Sequence, residues 1–194
     1  MTLNVVFIHV PKTGGLTIQQ ALQLQILRSR HRIRNNWKNK GKVTFGHQYY
    51  LKLVRRGVVS QGFDRSAFKF AFCRNPFDRA VSHYFYVKKK HPERMNPRTS
   101  FLQMTRNLAK YGATFQPQSA YVRNIKLDFV GRFENFETDL RRVAELIDID
   151  LGNIPQLNTT NHELHRTYYN HEIEENVRRF YKEDFDRFGY STEL

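Results

Sequence analysis

Residues 7 to 17 read Phe7-Ile8-His9-Val10-Pro11-Lys12-Thr13-Gly14-Gly15-Leu16-Thr17, and this stretch decides the architecture. An apolar run, Val5-Val6-Phe7-Ile8, stops at Pro11. Two glycines follow, and then Leu16, Ala21, Leu22 and Ile26 recur at helical spacing. That order predicts strand, tight turn, helix. The turn carries a lysine, two hydroxyls and glycines that let backbone N–H groups come close to an anion. Unpaired N–H groups and the dipole at a helix start favour phosphate. Residues 11–17 therefore read as a loop for the phosphate of a nucleotide-like ligand. It is not a Walker A loop, in which the lysine follows the glycines; here Lys12 precedes them.

A second segment has the same logic. Phe68-Lys69-Phe70-Ala71-Phe72-Cys73 reads as a buried strand and runs into Arg74-Asn75-Pro76-Phe77-Asp78-Arg79-Ala80-Val81-Ser82-His83-Tyr84. Pro76 stands where a helix begins. Arg74 falls at the strand's C-terminal end, and Ser82 lies about two helical turns further on. The planar guanidinium fork of arginine donates two hydrogen bonds to a phosphate.

The remaining pattern predicts strands at 4–10, 42–46, 68–73 and 127–131. Helices are predicted at 15–28, 48–56, 77–90, 99–110, 117–123, 134–147 and 171–187, with loops at 29–41, 57–66 and 148–168. Strands alternating with helices argue for an α/β, three-layer, P-loop-like fold with a central parallel sheet of about four to five strands flanked by helices. The length suits one domain over residues 1–194. Ligands bind at the carboxyl edge of such sheets. The three strand ends Pro11–Gly15, Gly46-His47 and Arg74 are expected to converge there.

The charge is one-sided. The chain carries a formal +14, yet no Asp or Glu occurs before Asp64, and residues 1–63 hold 11 Lys and Arg. Such a field attracts polyanions: nucleic acid, an anionic membrane or an acidic glycan. The lone Cys73 excludes internal disulfides and a cysteine metal site. The N-terminus enters the first strand without a signal-peptide pattern, and no apolar stretch is long enough to span a bilayer. A soluble protein of a reducing, cytoplasmic compartment is expected. His9 reads as a core or supporting residue, and His31 and His91 sit among cations. His83 points about 100° away from its neighbour Ser82 on a helix. His162, His165 and His171 lack zinc-site spacing, so no metal is expected.

The order Pro-Lys-Thr-Gly-Gly-x-Thr after a strand, with Arg74 and Ser82 in the next such unit, resembles the sulfotransferase superfamily, in the form of its carbohydrate (heparan 2-O-type) branch. Gly131-Arg132-Phe133-Glu134-Asn135-Phe136, Leu157-Asn158-Thr159-Thr160-Asn161-His162 and the ending from Tyr181 to Tyr190 resemble later segments of the family. The resemblance implies a 3′-phosphoadenosine 5′-phosphosulfate (PAPS) donor. Its 5′-phosphosulfate would rest on Pro11, Lys12, Thr13, Gly14, Gly15, Leu16 and Thr17. Its 3′-phosphate would rest on Arg74 and Ser82. Lys12 would stabilise charge on the bridging oxygen, and His47, ending the short strand Val43-Thr44-Phe45-Gly46, would be the base. An imidazole titrates near neutral pH, which suits taking a proton from an acceptor hydroxyl. The cations Arg28, Arg30, Arg32 and Arg34 alternate, so an extended backbone would put them on one face for an anionic glycan. The substrate-binding additions, anchor and disulfides of the Golgi enzymes are not found, which leaves the acceptor's identity open. Two other classes compete. A nucleotide kinase would need a Walker A loop and a magnesium-binding acid. A nucleic-acid-binding protein would show steep salt dependence without turnover.

Overall fold

The computed structural model describes residues 3–27, 37–154 and 165–194. Five strands form one parallel sheet: β1 (Val5–Ile8), β2 (Gln25–Ile26), β3 (Lys42–Thr44), β4 (Phe68–Cys73) and β5 (Phe129–Arg132), in the order β2-β3-β1-β4-β5. The register pairs Phe7 with Thr44 and with Phe70, and Cys73 with Arg132. All four residues of β1 are buried, as expected of a central parallel strand covered on both faces. The helices are α1 (Gly15–Ala21), α2 (Tyr50–Arg55), α3 (Gln61–Ser66), α4 (Pro76–Lys90), α5 (Phe101–Thr105), α6 (Gln118–Val122), α7 (Phe136–Leu146), α8 (His171–Phe180) and α9 (Lys182–Phe188). This is the expected α/β architecture, a five-stranded parallel sheet flanked by helices.

The chain groups into two compact units. One comprises Met1–Cys73 with Ala120–Leu157, the other Arg74–Ser119 with Asn158–Leu194. The first unit holds the sheet. On one face Val5, Phe7, Phe70 and Phe72 pack against Ile18 of α1, Leu22 just after it, and Leu140, Val143 and Ala144 of α7. A further aromatic group joins Trp37, Phe45, Tyr50 and Phe63. The second unit is helical. Phe77, Val81 and Tyr84 of α4 share a core with Phe101, Phe115, Val177, Tyr181 and Phe185. Asn75 caps α4 by accepting the Phe77 N–H, Pro76 opens it, and Lys88, Lys89 and Lys90 complement the dipole at its end.

Several element boundaries differ from the sequence expectation, among them the helix expected over 99–110, which ends at Thr105. The first helix stops at Ala21 rather than running to 28. It closes in a Schellman motif: Gln23 N–H bonds the Gln20 carbonyl, Leu24 N–H bonds the Gln19 carbonyl, and Gln23 takes φ 50°. Gln25 and Ile26 then add a fifth strand along β3. Residues 61–66, expected as loop, form α3, with the Ser60 hydroxyl accepting the Phe63 N–H. The C-terminal helix is two helices that break at Tyr181.

Candidate active site

β1 leaves the sheet into the loop 9–14. Lys12 stands at φ 70° and Gly14 at φ 80°, both left-handed, and only the glycine adopts that region without strain. Thr13 is fully buried, and its hydroxyl donates to the Val10 carbonyl at 2.9 Å, which tightens the turn. α1 then starts at Gly15. Ser60, Asn75, Ser100 and Asn170 cap other helices with their side chains, whereas Gly14 gives α1 no such cap. Thr17 is buried and Leu16 is 47% exposed.

Both glycines are held by close packing. A Cβ on Gly14 would lie 2.3 Å from Phe136 Cε2, and one on Gly15 would lie 1.8 Å from His9 Nε2. Phe136 opens α7 and packs on Phe72 at 5.5 Å between centroids. His9, buried, stacks on Phe7 and is 2.9 Å from Gln19 Nε2 through its Nδ1. Thus the strand before the loop and the helix after it clamp the turn through one imidazole.

β3 ends at the same carboxyl edge, as the parallel pairing with β1 requires. Gly46, at φ 60°, turns the chain there, and His47 follows, exposed. The His47 ring lies 4.2 Å from the His9 ring, and its Nδ1 is 3.3 Å from the His9 carbonyl oxygen. The structure therefore brings together Pro11–Thr17 and His47 by way of His9, in the first unit. The Gln19, His47 and Gly15 contacts give His9 the supporting place that its position before the loop suggested.

Arg74 follows β4 and opens the second unit. Its Nε donates to Asp78 Oδ2 at 2.7 Å. Ser82, 1% exposed, lies one turn beyond Asp78 on α4, so Asp78 and Ser82 share a helix face. The Arg74 backbone is gripped by Gln118: its N–H donates to Gln118 Oε1 at 2.9 Å, and its carbonyl accepts from Gln118 Nε2 at 2.8 Å. Asp184 in turn accepts the backbone N–H groups of Gln118 and Ser119, each at 2.8 Å. Its burial pushes its carboxyl above the usual range, against the opposing pull of Arg79 and those two N–H groups. His83, buried, stacks flat on Phe115 at 3.7 Å, so it is a core residue. Asp78 and Gln118 carry no motif of their own, and Asp184 stands out only as part of the Tyr181–Tyr190 ending. The i,i+4 spacing of Arg74 and Asp78 was the other signal available.

Arg28, Arg30, Arg32 and Arg34, and the segment 157–162, lie outside the described residues. Among the described residues no group of three or more His, Cys, Asp or Glu is placed to hold a metal ion, and no helix is long and apolar enough to cross a membrane.

Comparison with known proteins bears on the family and the fold. The family model described as "Sulfotransferase family" matches residues 2–191. An uncharacterized protein of Archaeoglobus fulgidus is 33% identical over 100 residues, which cover 50% of this chain and 80% of that protein. The crystal structure of a sulfotransferase from Alicyclobacillus acidocaldarius superposes with a TM-score of 0.58 and 16% identity, covering 96% of this chain and 94% of that one. At that identity the likeness is one of fold.

Proposed function

The chain belongs to the Sulfotransferase family, and on that premise we propose that it moves a sulfuryl group from PAPS to a hydroxyl of an anionic carbohydrate, residues 1–194 acting as one sulfotransferase domain. The observation that carries the donor reading is the turn after β1. There a lysine is held in a left-handed conformation two residues before a left-handed glycine, and that glycine, as N-cap of α1, supplies no side-chain cap. Such a turn presents N–H groups and an ammonium to an anion.

Pro11, Thr13, Gly14, Gly15, Leu16 and Thr17 surround the 5′-phosphosulfate. Since the Thr13 hydroxyl is bonded to Val10, Thr13 serves through its backbone N–H. Arg74 and Ser82 hold the 3′-phosphate. In the reaction the acceptor oxygen bonds to sulfur while the bond from sulfur to the bridging oxygen breaks, in line. Lys12 stabilises the charge that collects on the bridging oxygen and the leaving phosphate. His47 takes the acceptor proton. A carbonyl oxygen only accepts hydrogen bonds, so the contact with His9 puts the His47 proton on Nδ1 and leaves the Nε2 lone pair as the base. The lysine and arginine supply the positive charge, so the reading needs no metal. The acceptor's own negative charge is matched by Arg28, Arg30, Arg32 and Arg34. A single cysteine fits a reducing, cytoplasmic setting.

The test is thermal stabilisation by 3′-phosphoadenosine 5′-phosphate, the product, against AMP, ADP and ATP. The product is expected to raise the melting temperature most, and Arg74→Ala is expected to erase most of its advantage over AMP. Equal shifts with the product and AMP would sink the 3′-phosphate assignment.

A further inference from the structure

Arg74 stands just past the last residue of β4 that pairs in the sheet, Cys73 with Arg132. A strand neighbour no longer serves the backbone at Arg74, and one side chain takes over. The Gln118 amide accepts from the Arg74 N–H and donates to the Arg74 carbonyl. Those two partners fix the amide's orientation, because an N–H demands an oxygen and a carbonyl demands an NH2. Gln118 is itself fully buried, and Asp184, equally buried, holds it through the backbone N–H groups of Gln118 and Ser119. At the other end of the arginine, Asp78 holds Nε. The guanidinium is thus anchored at its root and along its stem before any ligand arrives.

We infer that Gln118 is a positioning residue for recognition of the donor's 3′-phosphate, setting the aim of Arg74 through its backbone. The inference rests on the reading of Arg74 given above. A guanidinium fork reads a phosphate only in a narrow range of orientations, so a fixed root reduces the entropy lost on binding. Asp184, 110 positions along the chain from Arg74, belongs to the same relay. It acts on the arginine only through Gln118, and neither residue touches the ligand.

The experiment compares binding of 3′-phosphoadenosine 5′-phosphate and AMP to the full chain by calorimetry, in wild type and in Gln118→Met. Methionine keeps the length of the side chain and loses both hydrogen bonds. The preference for the bisphosphate is expected to fall about tenfold, while AMP affinity stays within about twofold, tenfold being about 1.4 kcal/mol. A merely structural role would lower the melting temperature and weaken both ligands together. If wild type prefers the bisphosphate and Gln118→Met keeps that preference, the inference is overturned and the Arg74 reading stands. If wild type shows no preference, both fall. A readout without any variant guards against misfolding. In wild type the Gln118 side-chain NH2 and the Arg74 backbone amide resonances are expected to shift with the bisphosphate and hold still with AMP. Identical responses to both ligands would also overturn the inference.

Discussion

The imidazoles of His9 and His47 lie 4.2 Å apart, tilted by 52°, with Nδ1 of His47 3.3 Å from the backbone carbonyl oxygen of His9. His9, the first residue after β1, thus orients the proposed base and, through its own Nε2, abuts Gly15 of the proposed phosphate loop. Removing His47 is expected to lower kcat by about 10²–10⁴-fold, the usual scale of a general base. Affinity for the product bisphosphate is expected to hold. Near-normal turnover in His47→Ala would move the base elsewhere.

Lys12 combines a charge with a backbone conformation that disfavours it. Two variants separate these. Lys12→Ala removes the ammonium and keeps the strained φ of 70°. Lys12→Gly removes the ammonium and relieves the strain, of about 1–2 kcal/mol, against a similar gain of unfolded-state entropy of about 0.5–1 kcal/mol. Both are expected to lose turnover far more than product binding, and Lys12→Gly is expected to melt close to wild type. Turnover within a few-fold of wild type in either variant would remove Lys12 from the chemistry.

Gly15 and Gly62 make a matched pair. An alanine Cβ at Gly15 would sit 1.8 Å from His9 Nε2, whereas at Gly62 it would meet nothing within 4 Å. Gly15→Ala must displace His9 or the loop, with an overpacking cost of about 1–3 kcal/mol. Bisphosphate binding is expected to weaken with it. Gly62 lies inside α3, where alanine is favoured by about 0.5–1 kcal/mol, so Gly62→Ala is expected to stabilise. Denaturant titrations of the two variants give opposite signs if the packing is as described.

Strand-loop-helix order was legible because Pro11, the glycines and the apolar run each mark a boundary by their own chemistry. The early end of α1 was not. Its left-handed closing residue is Gln23, not the glycine that usually announces a Schellman motif. The helix at Gln61–Ser66 was hidden by Gly62, although Ser60 stood ready as a cap. Lys12, Gly15, Arg74 and His47 could be nominated from local pattern. Gln118 could not, and Asp184 showed only as part of the Tyr181–Tyr190 ending without its role, because their work depends on contacts 44 and 66 residues away along the chain.

Tyr181 marks the break between α8 and α9, and its stability contribution has a definite pH sign. Its hydroxyl donates to the Phe115 carbonyl at 2.9 Å. Burial pushes the phenol up to about 12 from its usual 10, with Arg79 opposing and Asp184 reinforcing the shift. A raised value in the folded state means stabilisation that is fully present below pH 10 and lost as pH rises through 12. Over that window one such group gives a slope of about 1.4 kcal/mol per pH unit. Tyr50 and Tyr169 are raised by burial as well, so the wild-type protein is expected to lose stability steeply in alkali. Tyr181→Phe is expected to flatten that slope by about one proton's worth. At pH 7 it is expected to be about 1–3 kcal/mol less stable, because the buried Phe115 carbonyl loses its donor. Urea titrations of wild type and variant from pH 7 to 11 measure both quantities. An unchanged alkaline slope in Tyr181→Phe would show that this hydroxyl does not titrate with unfolding.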